Sequence, residues 1–472
     1  MPSPLLQESL AEARKRIDGA LFIRKHEKDQ LGEVLTPSKL IDELCDHLPK
    51  HVWSNPNLKW LDPAAGTGNF MSIVFHRLSS GLAKWQPNTA KRQQHILSKM
   101  LYQVELNPTS VKKLKQLFGP TAKIVQGDFL QEGTVKRLGL NSAGGANVIV
   151  GNPPFQRGMA EKRGTNAGRR TLWDLFVEKA LTTTLAEGGY LAFITPGGWR
   201  GTGRYSELGE LMKSRQILYL RMAHLNTGRQ DFGVSTRYDA YVIHNSPSKS
   251  GKLQTEIVDE HDQKHRLDLT DWPFIPGGCL EEFRDLIHKG PHTGKRAPLY
   301  DSHHHPQNTK RVNAKRTGKY QHPVVHGIGE NGLTYWYSTD GTKEGGFRGR
   351  SKVVLNLNGQ QYAYPEQNDH KGELGMTILS FGIPTSGKQD GDRVLRAVDT
   401  QLFKELIKAS KWGAFQTDYR MFRHFRDDWP EWILGHQRKT KGCRTHTRRR
   451  TRRAAAKNRR NSKGRRNSTR RA

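Results

Sequence analysis

ANVIVGNPPF, residues 146–155, is an apolar run that ends in two consecutive prolines. Val148, Ile149 and Val150 are β-branched, as a buried strand favours. Pro153 and Pro154 remove two backbone donors and fix two φ angles, so strand pairing stops there. The strand therefore leads into a stiff turn that offers free carbonyls, the Asn152 amide and the aromatic face of Phe155. Such a turn is suited to gripping a planar base by its exocyclic amine. In isolation the weaker alternative is a proline-terminated strand turn with a core phenylalanine.

Working outward, strand and helix signals alternate on both sides of this stretch. LKWLDP (58–63), LYQVEL (101–106) and AKIVQGDFL (122–130) read as three earlier strands, and GGYLAFITPGGW (188–199), ILYLRMA (217–223) and YDAYVIHN (238–245) as three later ones. The glycine turn AAGTGNF (64–70) leads into a helix from about Met71, and RTLWDLFVEKALTTTL (170–185) has helical apolar spacing. Residues 5–25 read as a helix, and a second amphipathic helix follows Thr36-Pro37, with Thr36 placed to cap it. Such alternation predicts an α/β fold with a seven-stranded, mostly parallel, doubly wound sheet and ligand sites at the strand C-terminal ends. Gly66, Gly68, Glu105, Asp128 and Asn152 all fall at such ends.

The glycine turn alone is weak evidence, because Gly66-Thr67-Gly68 lacks the third glycine of a dinucleotide fingerprint. The acids add what it lacks. Glu105, ending the second strand, can accept both hydroxyls of a ribose. Asp128, ending the third, can accept from an adenine amine, with Phe129 beside it to cover the ring. With no diphosphate to cradle, the set suits S-adenosylmethionine better than NAD. Each acid by itself reads equally as a solvated strand end.

The chemistry follows from the target. An aminopurine N6 is a poor nucleophile because its lone pair is delocalised. The Asn152 side-chain carbonyl and the Pro153 backbone carbonyl can each accept one amine hydrogen and concentrate that lone pair. An in-line sulfonium methyl then suffers direct displacement, with positioning and electrostatics supplying most of the rate. Phe155 would stack on a base flipped out of its helix. No covalent nucleophile is needed.

DPAAGTGNF, VELNP, GDFL and GNPPF, in that order, resemble the blocks of amino-group methyltransferases, and the preceding GEVLTP resembles the N-terminal cofactor block of the gamma-ordered N6-adenine DNA methyltransferases of restriction–modification systems. The resemblance covers roughly residues 30–245. It implies that Asp62, Ala64, Gly66 and Gly68 line the cofactor site, that Thr36 contacts the methionine end of S-adenosylmethionine, and that Glu105 holds its ribose. Asp128 and Phe129 would hold its adenine. Asn152, Pro153, Pro154 and Phe155 would form the catalytic clamp, with Asn152 also next to the cofactor, and Phe232 would be a second aromatic facing the flipped base. In the family Gln103 stands where glycine is common, and the stretch from Met71 to Leu101 is longer than the simplest pattern.

Four segments follow: an N-terminal helical segment (1–29), a methyltransferase domain (30–246), a mixed α+β domain (250–435) that the resemblance makes a target-recognition domain, and an Arg/Lys-rich tail (436–472) read as disordered. SPSKSGK (246–252) reads as the linker. The second domain is basic at KRVNAKRTGKY and FRGRSK and offers Tyr320, Tyr335, Trp336, Tyr337, Tyr362 and Tyr364 as aromatic surface. His303-His304-His305 reads as a polar loop, since adjacent side chains do not converge on a metal; no metal site is expected.

The formal charge is +32, of which residues 438–472 carry 17, leaving +15 on the body. Such a body suits a polyanion, and double-stranded DNA is the expected partner. Cys45, Cys279 and Cys443 are few, odd in number and far apart, which points to a reducing compartment without disulfides. No apolar stretch approaches the roughly 18–20 residues of a membrane span. The expected location is cytoplasmic, or the nucleus or viral factory of an infected cell for a viral source; the protein is not expected to be secreted. About 30 residues precede the first cofactor block, so no fused nuclease is expected and any restriction endonuclease would be separately encoded; the chain is expected to be a monomer. Adenine-N6 methylation of RNA, glutamine methylation in a protein and a catalytically silent DNA-binding protein are the competing readings.

Overall fold

The computed structural model describes residues 3–24, 35–140, 145–156, 171–248, 253–412, 416–437 and 443. The chain forms two compact units, the first comprising Met1–Gly277 with Ser410–Met421, the second Gly278–Ala409 with Phe422–Ala472.

The first unit is built on β1 (Trp60–Asp62), β2 (Leu101–Glu105), β3 (Lys123–Gln126), β4 (Ala146–Gly151), β5 (Leu185–Pro196), β6 (Arg215–Ala223), β7 (Tyr238–Pro247), β8 (Thr255–Val258) and β9 (Lys264–Leu267). Their order in the sheet is β3-β2-β1-β4-β5-β7-β6-β8-β9. Strands β1 to β5 pair in parallel, while β7 is antiparallel to both neighbours. The expected seven strands are thus present, but the sheet has nine. β8 adds in parallel to β6, and β9 folds back on it. Read as sequence, TEIV and KHRL lie beyond an apparent linker; in space they satisfy the backbone groups that β6 would otherwise leave unpaired at the sheet edge. The boundary expected at 246–250 accordingly lies inside the first unit.

Strand order reverses on either side of β1, which lies between β2 and β4. Open α/β sheets bind ligands at such a switch point, beyond the strand C-terminal ends. In β4, Val148, Ile149 and Val150 are at most 1% exposed, so both faces of the sheet are covered. The covering helices are α1 (Leu10–Arg24), α2 (Ser38–Asp46), α3 (Asn69–Gly81), α4 (Thr89–His95), α5 (Pro108–Phe118), α6 (Trp173–Lys179), α7 (Ser206–Lys213) and α8 (Leu225–Phe232). Asp42 of α2 ties α1 to α3, taking Arg14 at 2.7 Å and Arg77 at 2.5 Å. The long stretch between β1 and β2 is absorbed by α4 and a π turn at Ile96–Met100, and β2 still lies beside β1.

The expected capping of α2 by Thr36 is not seen. Pro37 occupies the N-cap position, and Asp18 of α1 accepts the Ser38 N–H at 2.9 Å and its hydroxyl at 2.7 Å. A long-range carboxylate has replaced the local cap, so the Thr36 hydroxyl serves elsewhere.

The segment Ser410–Met421 returns to the first unit. The Trp412 indole donates to the Ile275 carbonyl at 2.7 Å, and Asp418 accepts the Thr202 N–H at 3.0 Å and hydroxyl at 2.8 Å.

The second unit carries α9 (Leu280–His288), then β10 (Val312–Asn313), β11 (His322–Gly329), β12 (Gly332–Ser338), β13 (Lys352–Asn356), β14 (Asn368–Asp369), β15 (Gly375–Met376) and β16 (Ser380–Pro384), and finally α10 (Lys388–Val398), α11 (Gln401–Ala409) and α12 (Trp429–Gln437). Its strands form two sheets, ordered β10-β12-β11-β15 and β14-β13-β16. Phe403, Phe422 and Trp429 pack ring on ring beneath α11 and α12. His303-His304-His305 lies in a loop, as expected, but His304 within it is 1% exposed, with Nδ1 2.7 Å from Asp301 and Nε2 2.9 Å from the Ser338 hydroxyl. One expectation is corrected here. Cys279 and Cys443 are joined in a disulfide, although 164 residues separate them. Sequence distance concealed this, because the Glu405 carboxylate of α11 accepts the Cys443 N–H and places it by α9. Residues 438–442 and 444–472, most of the basic tail, lie outside the described residues.

Candidate functional site

The turn after β4 and the loop after β1 meet at the switch point. Gly151 closes β4 against Asp62 at the end of β1, where a Cβ on Gly151 would lie 3.0 Å from the Asp62 carboxylate. Any side chain at 151 would push the two strand ends apart, which explains a glycine immediately before Asn152. Gly68, at φ 85°, starts α3 in a left-handed conformation and lies so close to α5 that a Cβ would be 2.6 Å from the Phe118 ring. A Cβ on Gly66, in contrast, would meet nothing within 4 Å. The loop is thus pinned beneath and open above.

Glu105 closes this loop. One of its oxygens accepts the Gly66 N–H and the other the Asn107 N–H, each at 2.7 Å, and the residue is 8% exposed. The end of β2 is thereby tied to the glycine turn. Asp62 is buried, with the Ala64 N–H donating to it at 3.1 Å. Burial pushes its carboxyl up to about 8 against the help of that backbone bond, and the charge on Glu105 pushes in the same direction. Asp62 is therefore protonated at neutral pH.

Asn152 is held by a residue 116 positions away: its Nδ2 donates to the Thr36 hydroxyl at 3.1 Å. Thr36 is 4% exposed. With the amine end of the side chain so engaged, Oδ1 is buried and has no partner among the described residues. An orphaned buried acceptor costs free energy, about 1–3 kcal/mol, unless a ligand satisfies it. Pro153 is buried, Pro154 exposed and Phe155 half-buried against the core. The Phe155 carbonyl accepts the Leu172 N–H at 3.4 Å, which ties the turn to the start of α6.

Asp128 lies two residues beyond β3 and accepts the Leu130 N–H at 2.8 Å. Phe129 is 1% exposed, its ring 5.1 Å from that of Phe176 and 5.3 Å from the Lys179 ammonium. Lys179 escaped the sequence reading. It donates to the Leu130 and Gln131 carbonyls at 3.2 and 3.1 Å and so shapes the loop carrying Asp128. Burial lowers its pKa, while Asp128 and Glu132 oppose the shift. Its only sequence signal was a lysine at the end of an apolar-spaced helix.

Phe232, the second aromatic expected at the base, ends α8, is 6% exposed, and packs edge-on against Tyr238 at 4.9 Å. Gln103, which the sequence presented as a minor departure, is fully buried with neither amide atom partnered among the described residues.

The residues present fit S-adenosylmethionine: a Glu105 carboxylate tied to the glycine turn, no atom within 4 Å of a Cβ on Gly66, a neutral Asp62 at the end of β1 and an Asn152 carbonyl unpartnered among the described residues.

Residues 73–222 match the family described as Eco57I restriction-modification methylase. An uncharacterized adenine-specific methylase of Mycoplasma pneumoniae is 40% identical over 83 residues, 16% of this chain and 20% of that protein. The modification methylase CviBIII of Paramecium bursaria Chlorella virus NC1A is 27% identical over 248 residues, 52% of this chain and 57% of the relative. The chain therefore spans less than two thirds of either curated relative. Among solved structures, a putative class I S-adenosylmethionine-dependent methyltransferase of Listeria monocytogenes aligns at 16% identity and a TM-score of 0.39, over 54% of this chain and 74% of that one.

Proposed function

We propose that this protein is a site-specific DNA methyltransferase that transfers the methyl group of S-adenosylmethionine to the N6 amine of an adenine. The observation that carries the reading is the Asn152 carbonyl: buried, unpartnered, and aimed by the Thr36 hydroxyl at the end of β4. The adenine-specific methylase and the modification methylase among the relatives, together with the basic body, support it.

S-adenosylmethionine supplies an electrophilic methyl on a sulfonium. Everything else falls to the chain. Glu105 fixes the glycine turn and turns its carboxylate toward the ribose hydroxyls. Asn152 Oδ1 accepts one hydrogen of the target amine and the Pro153 carbonyl the other, which gathers the nitrogen lone pair toward the methyl. Phe155, half-buried beside the turn, covers the base, and that contact offsets part of the cost of taking it out of the duplex. Asp128 and the loop bound by Lys179 form the far wall. Holding both reactants in line supplies much of the rate.

Transfer of labelled methyl from S-adenosylmethionine to duplex DNA, RNA and protein, followed by nucleoside analysis, tests the reading. N6-methyladenine in DNA, lost in Asn152→Ala, is expected. Label confined to RNA or to protein refutes it.

A further inference from the structure

We propose that the glycine-rich loop after β5 and the return segment Asp418–Met421 together form a two-arginine clamp for the nucleic-acid backbone beside the methylated base. The proposal rests on the nucleic-acid reading above and adds which surface holds the strand.

Nine residues, GGWRGTGRY (197–205), follow β5 at the same C-terminal end of the sheet as the Asn152 turn, since β4 and β5 are parallel and Gly151 pairs with Phe193. The loop is held down at both ends. A Cβ on Gly201 would lie 2.8 Å from the Trp412 ring, so the return segment packs directly onto its backbone. Asp418 takes both the Thr202 N–H and hydroxyl. At the far end the Tyr205 hydroxyl is 2.9 Å from that of Thr171, the residue before Leu172, whose N–H is bound by Phe155. A continuous path of hydrogen bonds and chain therefore runs from the catalytic turn to this loop.

What the arrangement presents is cationic. The Arg204 guanidinium lies 5.2 Å from the Tyr205 ring centroid, and that of Arg420 lies 5.1 Å from the Tyr419 ring. The Arg420 guanidinium also borders Gly203, where a Cβ would be 3.2 Å from Nη1, so the two cations flank one short stretch of backbone. Arg204 is exposed and forms no ion pair among the described residues. Arg420 is 43% exposed at its side chain and pairs with Asp418 at 3.1 Å. That acid offsets part of the charge, but its other oxygen is occupied by Thr202. Stacked on a tyrosine, a guanidinium keeps its N–H edge outward, the geometry that takes a phosphate. Beyond the Arg420 Nη1 that Asp418 takes, both guanidinium groups keep N–H donors without a partner among the described residues, and a phosphodiester flanking the extruded nucleotide is an anion that such donors can bind.

The test is equilibrium binding of the full chain to a duplex across a salt series, with S-adenosylmethionine affinity measured in parallel. In Arg204→Ala/Arg420→Ala, duplex binding at 0.1 M salt is expected to weaken by about tenfold or more, and the slope of log K against log salt to fall by about 1–2, near 0.9 for each phosphate released. Arg204→Lys/Arg420→Lys is expected to keep most of the slope. Unchanged affinity and slope in the alanine variant overturn the clamp and leave the methyltransferase reading standing. Loss of S-adenosylmethionine binding in that variant also overturns it, because the arginines would then be holding the fold. A wild-type chain with no salt-dependent duplex binding overturns both readings, and needs no variant to be seen.

Discussion

Replacing Thr36 by valine is the most discriminating change the site permits. Valine keeps the shape and burial of a side chain that is 4% exposed, but removes the acceptor that the Asn152 Nδ2 reaches at 3.1 Å. The immediate loss is one hydrogen bond. It leaves a buried donor unpaired, which costs about 1–3 kcal/mol. The amide is then free to rotate and present its NH2 end to the substrate amine, donor against donor. If the cost is felt in the transition state, at 1.36 kcal/mol per decade, kcat falls by about 5- to 150-fold. Thr36→Ser, which retains the hydroxyl, should recover most of that loss. The assay is single-turnover methyl transfer at saturating S-adenosylmethionine and saturating duplex, with cofactor affinity measured by equilibrium dialysis. The family resemblance gives the competing role, a direct contact from Thr36 to the methionine end of the cofactor. That role predicts weakened cofactor binding with little change in kcat. A Thr36→Val enzyme with kcat within twofold of wild type would falsify the positioning role.

Three further changes address the frame beneath the site. Asp62 is raised to about 8 in the folded chain, far above its unfolded value, so the folded state binds the extra proton between about pH 4 and 8. Stability from this group is full below the unfolded pKa and is lost as pH rises through the folded one; thermal melts of Asp62→Asn should therefore show a flatter fall between pH 5 and 8 than wild type. Arg200 is fully buried and donates to Asp239 at 2.8 Å, and burial holds the Asp239 carboxyl up at about 6 despite that partner. Arg200→Met strands a buried acid and should cost about 3–5 kcal/mol in urea unfolding, while Arg200→Met/Asp239→Leu should return most of it; equal losses in both variants would contradict this account. Gln103→Met replaces a buried, unpartnered amide by an apolar side chain of similar volume and should raise unfolding free energy by about 1–3 kcal/mol, checked by the same unfolding curves.

The parts of the fold that were legible are those in which local pattern and final environment coincide. Val148 to Val150 read as a buried strand and are one, because a parallel strand covered on both faces needs an unbroken β-branched run. The acid at the end of β2 and the glycine turn after β1 could be paired from their positions in an alternating chain, and the bond from Gly66 to Glu105 joins them. The errors share a different cause. Thr36 looks like a helix cap because the sequence two residues ahead of a helix is suggestive, but the partner that displaces it, Asp18, is 20 residues upstream of Ser38, where the helix starts. His304 and the pairing of Cys279 with Cys443 depend on contacts 34 and 164 residues apart. No window of sequence contains such contacts.

The same distinction explains how the site is built. Its chemistry-bearing groups are local, each at the end of its own strand, but the bonds that orient them are not. Asn152 is aimed from Thr36, Glu105 is occupied by Gly66, the loop of Asp128 is held by Lys179, and the loop beyond β5 is fastened by Asp418. A sheet can place strand ends next to one another, but it does not fix the rotation of an amide or the tilt of a carboxylate. Those need partners from elements that arrive from elsewhere in the chain. The orienting residues are therefore the ones a motif does not mark, and substituting them should alter rate without abolishing the fold. Conversely, a chain that kept NPPF and the acids while losing Thr36 would retain the appearance of this site with an unaimed carbonyl at its centre.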